Sequence, residues 1–487
     1  MNDNAIEIQK KSKKSLKWST FGEIIGRLIT PITTAILSRI LAPEIFGIVT
    51  TITIVISFCE IFSEGGFSKY IIQSDFVNED EKSKSITVAF WSNFILSVIL
   101  FAFICVFNKP LAKLVGSSGY EIPLIVACVQ VPIYSFNGTF TASFRREFKF
   151  KQLFYIRIVT AIVNLCCSVP LALMGLKHWS IIIGNIVSMC MTAIIMCFIS
   201  EWKPKLYYKF SLLKKMFSFS ALNLFESLLI WLCTWVSSII ISNGMSQYYL
   251  GIYKNANSMV NSLFGIVTAS IIPVLFASLS RLKNDEIAFK DMYYKMQSLA
   301  AFILLPMGAG LFLYKDLATK ILFGDQWGDA GIVVGVSCAI KSLVVVFSYF
   351  ASEVYRAKGK PSISIYTQAI LLMVSIPVCL LTVKSNFITF VIASACADLT
   401  LVFMSFVFLK SIFKFQLKPI ILNFLRPFIC CIIMIVVSLL LKKINGNWWF
   451  DIISIIICMI IYFGSYFVLF HKDFVGKINT FFSRHIN

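Results

Sequence analysis

Runs of about twenty apolar residues recur along almost the whole of this 487-residue chain. Wound as a helix, a run of that length crosses the roughly 30 Å hydrocarbon core of a bilayer. The composition agrees, because 58% of the residues are hydrophobic and 14% are charged, whereas an ordinary soluble domain carries about 25% charged residues. The sequence therefore predicts an all-α, polytopic membrane protein.

The apolar runs predict about fourteen transmembrane helices. Residues 1–17 are polar, and a cleavable signal peptide would begin its apolar stretch nearer the N-terminus, so we expect the first helix to be retained. The predicted helices span residues 18–40, 46–67, 85–107, 122–144, 153–173, 179–199, 217–241, 249–279, 299–313, 330–355, 362–383, 388–409, 428–441 and 448–470.

The distribution of Lys and Arg residues predicts the orientation. With the N-terminus in the cytoplasm, 31 of the 44 Lys and Arg residues lie on the cytoplasmic side and 8 on the outer side. Cytoplasmic loops carry such an excess, and the alternation requires an even number of helices. We therefore expect a multi-pass membrane protein with both termini in the cytoplasm. The same bias explains the net charge of +20 without a nucleic-acid partner.

A weak internal repeat predicts two related halves. Residues 46–49, Phe-Gly-Ile-Val, resemble residues 250–253, Leu-Gly-Ile-Tyr, about six predicted helices later. An even number of helices between repeats relates the halves by an axis along the membrane normal. We expect two pseudo-symmetric six-helix bundles and a C-terminal helix pair. The expected divisions are a basic N-terminus at 1–17, bundles at 18–209 and 210–422, and the helix pair with a cytoplasmic tail at 423–487.

The sequence contains no recognisable catalytic or metal-binding motif. The fourteen cysteines lie within apolar runs and the three histidines near segment ends, without metal-ligand spacing. Nothing resembles a phosphate-binding loop or a Ser/His/Asp arrangement, and no loop is long enough for a folded domain. We expect no enzymatic activity, no metal, no disulfide and no cofactor.

Ionisable side chains within the predicted helices are the candidates for function, because each costs about 2.5–3.5 kcal/mol at a helix centre. Cations suit an anionic substrate such as a phosphate or pyrophosphate, to which they donate charge-assisted hydrogen bonds. Acids that change protonation or bind sodium suit coupling to an ion gradient. The substrate-binding candidates are Arg27, Arg157, Lys254 and Lys341, and the coupling or charge-balancing candidates are Glu23, Glu226 and Asp398.

Structural interpretations of the same residues stay open. Glu23 and Arg27 are four residues apart on one helix face, where they are able to neutralise each other. Lys254 lies about one turn from the predicted outer end of its helix, from which a lysine can reach water. Lys341 and Asp398 lie near mid-helix with no opposite charge three or four residues away. Each therefore faces a wet cavity or pairs with a charge on another helix.

Seven local motifs occur in the order and topology of a known family. The most distinctive is Leu-Ser-Arg-Ile-Leu-Ala-Pro-Glu-Ile-Phe-Gly at residues 37–47, in which Pro43 and Gly47 are interpreted as turn residues. The others lie at residues 64–73, 89–93, 145–150, 250–253, 323–327 and 357–361. With these motifs the chain resembles the polysaccharide transporters of the multidrug/oligosaccharidyl-lipid/polysaccharide exporter superfamily.

The resemblance implies a flippase for O-antigen (lipopolysaccharide), capsule or exopolysaccharide biosynthesis. Such a protein moves polyprenyl-pyrophosphate-linked oligosaccharide repeat units from the cytoplasmic to the outer leaflet by alternating access. The implied partners are that lipid-linked glycan, the bilayer and other polysaccharide assembly proteins, and the implied location is the bacterial inner (cytoplasmic) membrane. The intramembrane acids suit coupling to an ion gradient, and the sequence leaves open whether that ion is a proton or sodium. The resemblance also implies a cationic cavity for the anionic head, which agrees with the cationic candidates above.

Two other functions compete with the flippase. An ion-coupled drug/cation antiporter of the same superfamily would favour an acidic cavity, whereas five Lys or Arg residues lie within the predicted helices here. A membrane-embedded polysaccharide polymerase typically carries a large outer loop, and this chain shows none. Both comparisons favour the flippase.

Overall fold

The computed structural model of the protein describes residues 18, 22, 25–26, 28–29, 31–64, 67–74, 76, 78–443 and 448–482. None of these residues is in a β-strand, and thirteen of the helical segments are long and apolar enough to span a membrane. Each segment overlaps one of the predicted helices from the second onward, so the all-α membrane fold is confirmed. The first predicted helix, residues 18–40, is described in part, and residues 18, 22, 25–26, 28–29 and 31–38 of it are helical.

The described residues form two compact units that divide between Asn255 and Ala256. The helices that begin in the first unit are α1 (Pro43–Glu64), α2 (Phe67–Gln73), α3 (Glu79–Val106), α4 (Asn108–Leu114), α5 (Glu121–Cys128), α6 (Gln130–Arg146), α7 (Phe150–Leu173), α8 (His178–Ile199), α9 (Phe210–Gly244) and α10 (Gln247–Arg281).

The second unit contains the rest of α10 and the following elements. They are α11 (Glu286–Leu313), α12 (Lys315–Phe323), a 3₁₀ turn (Asp325–Trp327), α13 (Ala330–Val344), a π-helical turn (Val345–Tyr349), α14 (Phe350–Ala357), α15 (Ser362–Thr382), α16 (Phe387–Ala397), α17 (Leu399–Ser411), α18 (Leu417–Lys442), α19 (Trp448–Leu469) and α20 (His471–Phe482).

Helix α1 is the central helix of the first unit and packs against α3, α5, α6 and α9. It begins at Pro43, where the missing N–H is one that a helix leaves unpaired in any case. Ile52 and Val55 on α1 belong to the largely aliphatic core between these helices. Because α9 packs on α1, the first compact unit ends at residue 255, whereas the first predicted bundle ends at residue 209. The division into two six-helix bundles stays a prediction.

The two motifs of the internal repeat touch each other in the first unit. A Cβ atom on Gly47 would lie 2.0 Å from the carbonyl oxygen of Gln247, and one on Gly251 would lie 1.9 Å from that of Pro43. Gly47 thus packs on the residue four positions before Gly251, and Gly251 packs on the residue four positions before Gly47. A local two-fold axis produces such reciprocal contacts. Gly47 lies inside α1, so its interpretation as a turn residue is wrong. Its role is to let two helices approach.

Replacing Gly251 with alanine is expected to destabilise the protein by about 1–3 kcal/mol, the usual cost of overpacking. A Cβ atom on Gly138 of α6 would meet nothing within 4 Å, so Gly138→Ala is the matched control. Alanine is the better helix former, and the control is expected to gain up to about 1 kcal/mol. Thermal unfolding in detergent measures both variants. A Gly251→Ala variant as stable as the wild type would contradict the close contact.

Helices α7 and α8 form a tightly packed hairpin through small and polar side chains. A Cβ atom on Gly184 would lie 1.9 Å from the Ser168 hydroxyl oxygen, so glycine is needed there. The Asn164 side-chain amide donates a hydrogen bond to Asn185 Oδ1 at 2.8 Å. Small residues and interhelical hydrogen bonds hold membrane helices together where lipid removes the hydrophobic driving force. The hairpin therefore fixes the position of α7, which carries Arg157.

Helix α11 is the central helix of the second unit and packs against α13 and α18. Two membrane spans of this unit are interrupted. The π-helical turn lies between α13 and α14 in the span Ala330–Ala357, and Asp398 separates α16 from α17 in the span Phe387–Ser411. Two of the candidate residues, Lys341 and Asp398, lie in these interrupted spans.

Helix α20 is held on the second unit by a network of charged and aromatic side chains. Lys477, which is 8% exposed, lies 2.7 Å from Asp473 Oδ2, and Arg426 of α18 lies 3.3 Å from Asp473 Oδ1. The Tyr466 hydroxyl of α19 donates to Asp473 at 2.5 Å. Burial acts to raise the pKa of Asp473, but the hydrogen bonds from Lys477 and Tyr466 outweigh burial and hold that pKa below its usual value.

The Asp473→Asn variant is expected to loosen α20 by about 2 kcal/mol, because Lys477 then stays buried without its counter-charge. The wild type is expected to loosen likewise as the pH falls below about 4, since a carboxylate with a lowered pKa loses its stabilisation when it is protonated. Hydrogen exchange of the α20 amides measures both effects. The control, Asp316→Asn, breaks an exposed pair with Lys315 and is expected to change little. Unchanged exchange in Asp473→Asn would contradict the network.

Candidate functional site

A cavity of about 520 Å³ lies in the first unit between α6, α7, α8 and the helical residues that precede α1. Among the described residues that line the cavity, two are cationic and none is acidic. A cavity with that lining favours an anionic group. The lining residues are Trp18, Gly22, Thr141, Arg145, Phe150, Leu153, Phe154, Ile156, Arg157, Thr160, Thr192 and Met196.

Arg157 on α7 is a predicted site residue, and it lines this cavity. Its Nη1 atom donates a hydrogen bond to the carbonyl oxygen of Gly22 at 2.8 Å. A Cβ atom on Gly26 would lie 2.6 Å from the same Nη1 atom. The guanidinium therefore lies close to a helix surface on which two glycines, one turn apart, leave room for it. The side chain remains exposed to the cavity.

Arg145 is the second cation of the cavity, and its neighbour Arg146 has a different role. Arg146 Nη1 donates to the carbonyl oxygens of Ile71 at 2.7 Å and Ser74 at 2.8 Å, which satisfies the C-terminal end of α2. Its guanidinium also lies 4.5 Å from the ring centre of Phe76. Of the two arginines in the basic motif, Arg146 is structural and Arg145 faces the cavity.

An ion-pair network fixes the α6–α7 turn beside the cavity. Lys149 lies 2.8 Å from Glu147 and 2.6 Å from Glu201, and Lys82 of α3 lies 3.3 Å from Glu147. The hydrogen bond from Lys149 lowers the pKa of Glu201 below its usual value. The network ties together the ends of α3, α6, α7 and α8. It therefore holds the turn that carries Arg145.

Lys341 of the second unit makes its closest polar contact with a neutral group. Its ammonium donates a hydrogen bond to the Tyr349 hydroxyl at 2.7 Å. Asp398 lies within electrostatic range of Lys341, but no described carboxylate approaches the ammonium within 4.0 Å. The direct Lys341–Asp398 pair left open by the sequence is not formed. Lys341 thus keeps a charge that a ligand can reach, since the side chain is partly exposed.

The other predicted site residues are not part of this cavity or cannot be placed. Lys254 lies in the first unit with its ammonium 3.3 Å from the ring centre of Trp235, and it does not line the cavity. This cation–π contact accounts for its charge without a substrate. Glu226 is partly buried on α9. Glu23 and Arg27 lie outside the described residues.

Two buried polar residues of the second unit were missed by the sequence reasoning. Glu353 lies near a helix end, where a long side chain can reach water, yet it is 3% exposed and lies 3.2 Å from Arg356. Gln297 on α11 is 0% exposed, and neither polar atom of its amide has a hydrogen-bond partner among the described residues. For Gln297, the position of a glutamine within an apolar run was the sequence signal that could have identified it.

Metal and disulfide chemistry have no identified site in the described part of the chain. It contains no group of three or more His, Cys, Asp or Glu side chains placed to hold a metal ion. All fourteen cysteines are free thiols. The cavity of the first unit and Lys341 of the second unit each offer a cation for binding.

Comparison with known families shows where the chain belongs. The model of a family described as "Polysaccharide biosynthesis protein" matches residues 36–331, which is more than half of the chain. The match covers the cavity residues from Thr141 onward and extends to the start of α13.

Two curated relatives are similar over most of their length. The succinoglycan biosynthesis transport protein ExoT of Rhizobium meliloti is 21% identical over 70% of this chain and 68% of its own. The lipopolysaccharide biosynthesis protein WzxC of Escherichia coli is 22% identical over 74% of this chain and 72% of its own. Among solved structures, the lipid II flippase MurJ in an inward closed conformation has a TM-score of 0.77 at 15% identity, covering 93% of this chain and 99% of its own. At that identity the likeness shows the fold alone.

Proposed function

Since this chain belongs to the polysaccharide biosynthesis protein family, we propose that it flips polyprenyl-pyrophosphate-linked oligosaccharides from the cytoplasmic to the outer leaflet of the membrane. The cargo would serve O-antigen, capsule or exopolysaccharide biosynthesis. Family membership also confirms the resemblance seen in the motifs. The proposal assigns a transport function without covalent chemistry, by alternating access.

The cationic cavity of the first unit is the observation that carries the proposal. A pyrophosphate is a compact anion with several acceptor oxygens, and arginine presents a planar fork of donors to such oxygens. Arg145 and Arg157 line one cavity, and the described lining of that cavity contains no acidic residue. A drug/cation antiporter would need the opposite charge in its cavity. The lining therefore supports an anionic head group as the ligand.

The names of the relatives support the same cargo class. ExoT is named as a succinoglycan transport protein and WzxC as a lipopolysaccharide biosynthesis protein. MurJ is named as a flippase of lipid II. Transport of a lipid-linked glycan is the function that unites these names with the membrane fold described here.

The proposal extends to the membrane in which the protein lies and to the ion gradient that drives transport. The excess of Lys and Arg in alternate loops supports cytoplasmic positions for both termini, and the bacterial sources of the relatives support the inner (cytoplasmic) membrane as the location. We propose a proton or sodium gradient as the energy source, with Glu23, Glu226 and Asp398 as coupling or charge-balancing residues. Other polysaccharide assembly proteins are proposed partners, because they supply and consume the lipid-linked glycan.

Depletion of the protein in cells tests the proposal. We expect complete lipid-linked repeat units to accumulate on the cytoplasmic face, because they are made there and no longer cross. Units that reach the outer face but remain unpolymerised would favour a polymerase instead. An unchanged pool of lipid-linked glycan would contradict the proposal and direct attention to drug efflux.

A further inference from the structure

The span that carries Lys341 contains a π-helical turn, Val345–Tyr349, between α13 and α14. Turns of this kind are rare and occur frequently at functional sites. Its sequence, Val-Val-Phe-Ser-Tyr, contains neither proline nor glycine, which are common causes of helix irregularity. The irregularity therefore needs another explanation. The turn begins four residues after Lys341 and ends at Tyr349, and the contact between these two residues supplies one.

The π-helical turn places Tyr349 on the helix face of Lys341. In a regular α-helix, residues eight positions apart are rotated by roughly 80° about the axis. A π-helical turn holds one additional residue, so Tyr349 takes approximately the direction of the seventh position, within roughly 20° of Lys341. The tyrosine side chain leans toward the N-terminus of the helix. The 2.7 Å contact between the two side chains follows from this arrangement.

The contact leaves most of the hydrogen-bonding capacity of Lys341 unused. An ammonium has three donors, and the Tyr349 hydroxyl accepts one of them. The Tyr349 ring centre lies 5.0 Å from the ammonium, which limits its movement further. Because the hydroxyl is neutral, it orients the charge without cancelling it. An anion can therefore accept the remaining donors while the contact with Tyr349 persists.

The surroundings hold the π-helical turn in place. Phe347 packs against Phe406 of α17 and Phe424 of α18, with ring centres 5.0 Å and 5.5 Å away. The Ser352 hydroxyl donates to the carbonyl oxygen of Ser348 at 3.0 Å. Helix α17, which follows Asp398, packs against both α13 and the π-helical turn. The π-helical turn is thus well packed within the second unit.

We infer that Tyr349 is a positioning residue that orients the Lys341 ammonium toward a phosphoryl oxygen of the transported anion. The inference rests on the proposed function, because it takes the pyrophosphate of the cargo as the anion. Tyr349 itself does not need to touch the cargo. Its effect passes entirely through Lys341, and that dependence makes the inference testable.

A double-mutant cycle on the purified full-length protein tests the inference, with inorganic pyrophosphate as the probe and calorimetry as the measurement. Arg145 and Arg157 are expected to bind anions too, so the readout is the part of the affinity that Lys341→Ala removes. Tyr349→Phe keeps the ring and is expected to weaken that part about fivefold to tenfold, the usual worth of one hydrogen bond. In the Lys341→Ala background it is expected to have no further effect. Tyr366→Phe, at an exposed tyrosine of α15, is the control.

The possible outcomes separate the inference from the proposed function. If Tyr349→Phe weakens binding equally with and without Lys341, or does not weaken it, Tyr349 is no positioning residue while the flippase proposal stands. If the wild type does not bind pyrophosphate, the proposed cargo chemistry and the inference are both overturned. A loss confined to proteins that retain Lys341 supports both.

Discussion

Replacing both Arg145 and Arg157 with alanine is expected to lower transport of the lipid-linked oligosaccharide at least a hundredfold. Each arginine offers a charge-assisted hydrogen bond worth about 1.5–3 kcal/mol, and about 1.4 kcal/mol corresponds to a factor of ten. The cavity holds no other described cation, so no neighbour replaces the lost charge. Transport into the outer leaflet by purified protein in vesicles is the measurement.

Two further variants show that the effect belongs to the cavity. Arg157→Lys keeps the charge but loses the planar fork, so it is expected to retain part of the transport. Arg281→Ala removes an exposed arginine at the end of α10 and is expected to transport like the wild type. Membrane insertion and thermal stability of each variant exclude misfolding. Wild-type transport by the stable double variant would remove the cavity from the mechanism.

Replacing Lys341 with alanine is expected to lower transport tenfold to a hundredfold or more while the protein still inserts. The reason is the loss of one charge-assisted contact in the second unit, worth about 1.5–3 kcal/mol. Removing the lysine also removes the positive charge that interacts with Asp398. The measurement is export of the glycan in cells, together with the amount of inserted protein.

The conservative variant separates charge from structure at this position. Lys341→Arg keeps the positive charge and is expected to retain part of the export. Lys254→Ala is the comparison within the other unit, because the Trp235 ring already accounts for its charge. Normal export by a stably inserted Lys341→Ala protein would exclude Lys341 from the site.

The membrane spans were predictable because lipid imposes a simple rule on sequence. A span needs about twenty apolar residues, and thirteen of the predicted runs became helices with that length and composition. Arg157 was predictable for the same reason, since a charge stands out within an apolar run. The structure adds what the run cannot show, namely that Arg157 faces a cavity and rests on Gly22.

The partner of Arg157 was not predictable from sequence. Arg145 and Arg146 are adjacent and identical in type, and only the fold of the α6–α7 turn sends Arg145 to the cavity and Arg146 to the end of α2. The contact between Tyr349 and Lys341 was also not predictable from the sequence. Regular helix geometry places it off the face of Lys341, and no residue in Val345–Tyr349 signals the π-helical turn.

The internal repeat could be detected in the sequence, but the structural role of its glycines could not. Gly47 and Gly251 matched by sequence, and the match was read as a repeat with Gly47 in a turn. In the structure both glycines lie where two helices touch, Gly47 against Gln247 and Gly251 against Pro43. Sequence could pair the two glycines, but it could not show that the pair touches.

The most direct test of the account is the sidedness of the cargo in vesicles that contain only the purified protein. Polyprenyl-pyrophosphate-linked oligosaccharide is present in both leaflets, and a membrane-impermeant glycosidase is added outside. We predict that the enzyme reaches nearly all of the glycan with the wild type. With the Arg145→Ala/Arg157→Ala variant, it should reach only the share that starts in the outer leaflet. Equal digestion with and without the wild-type protein would contradict the account.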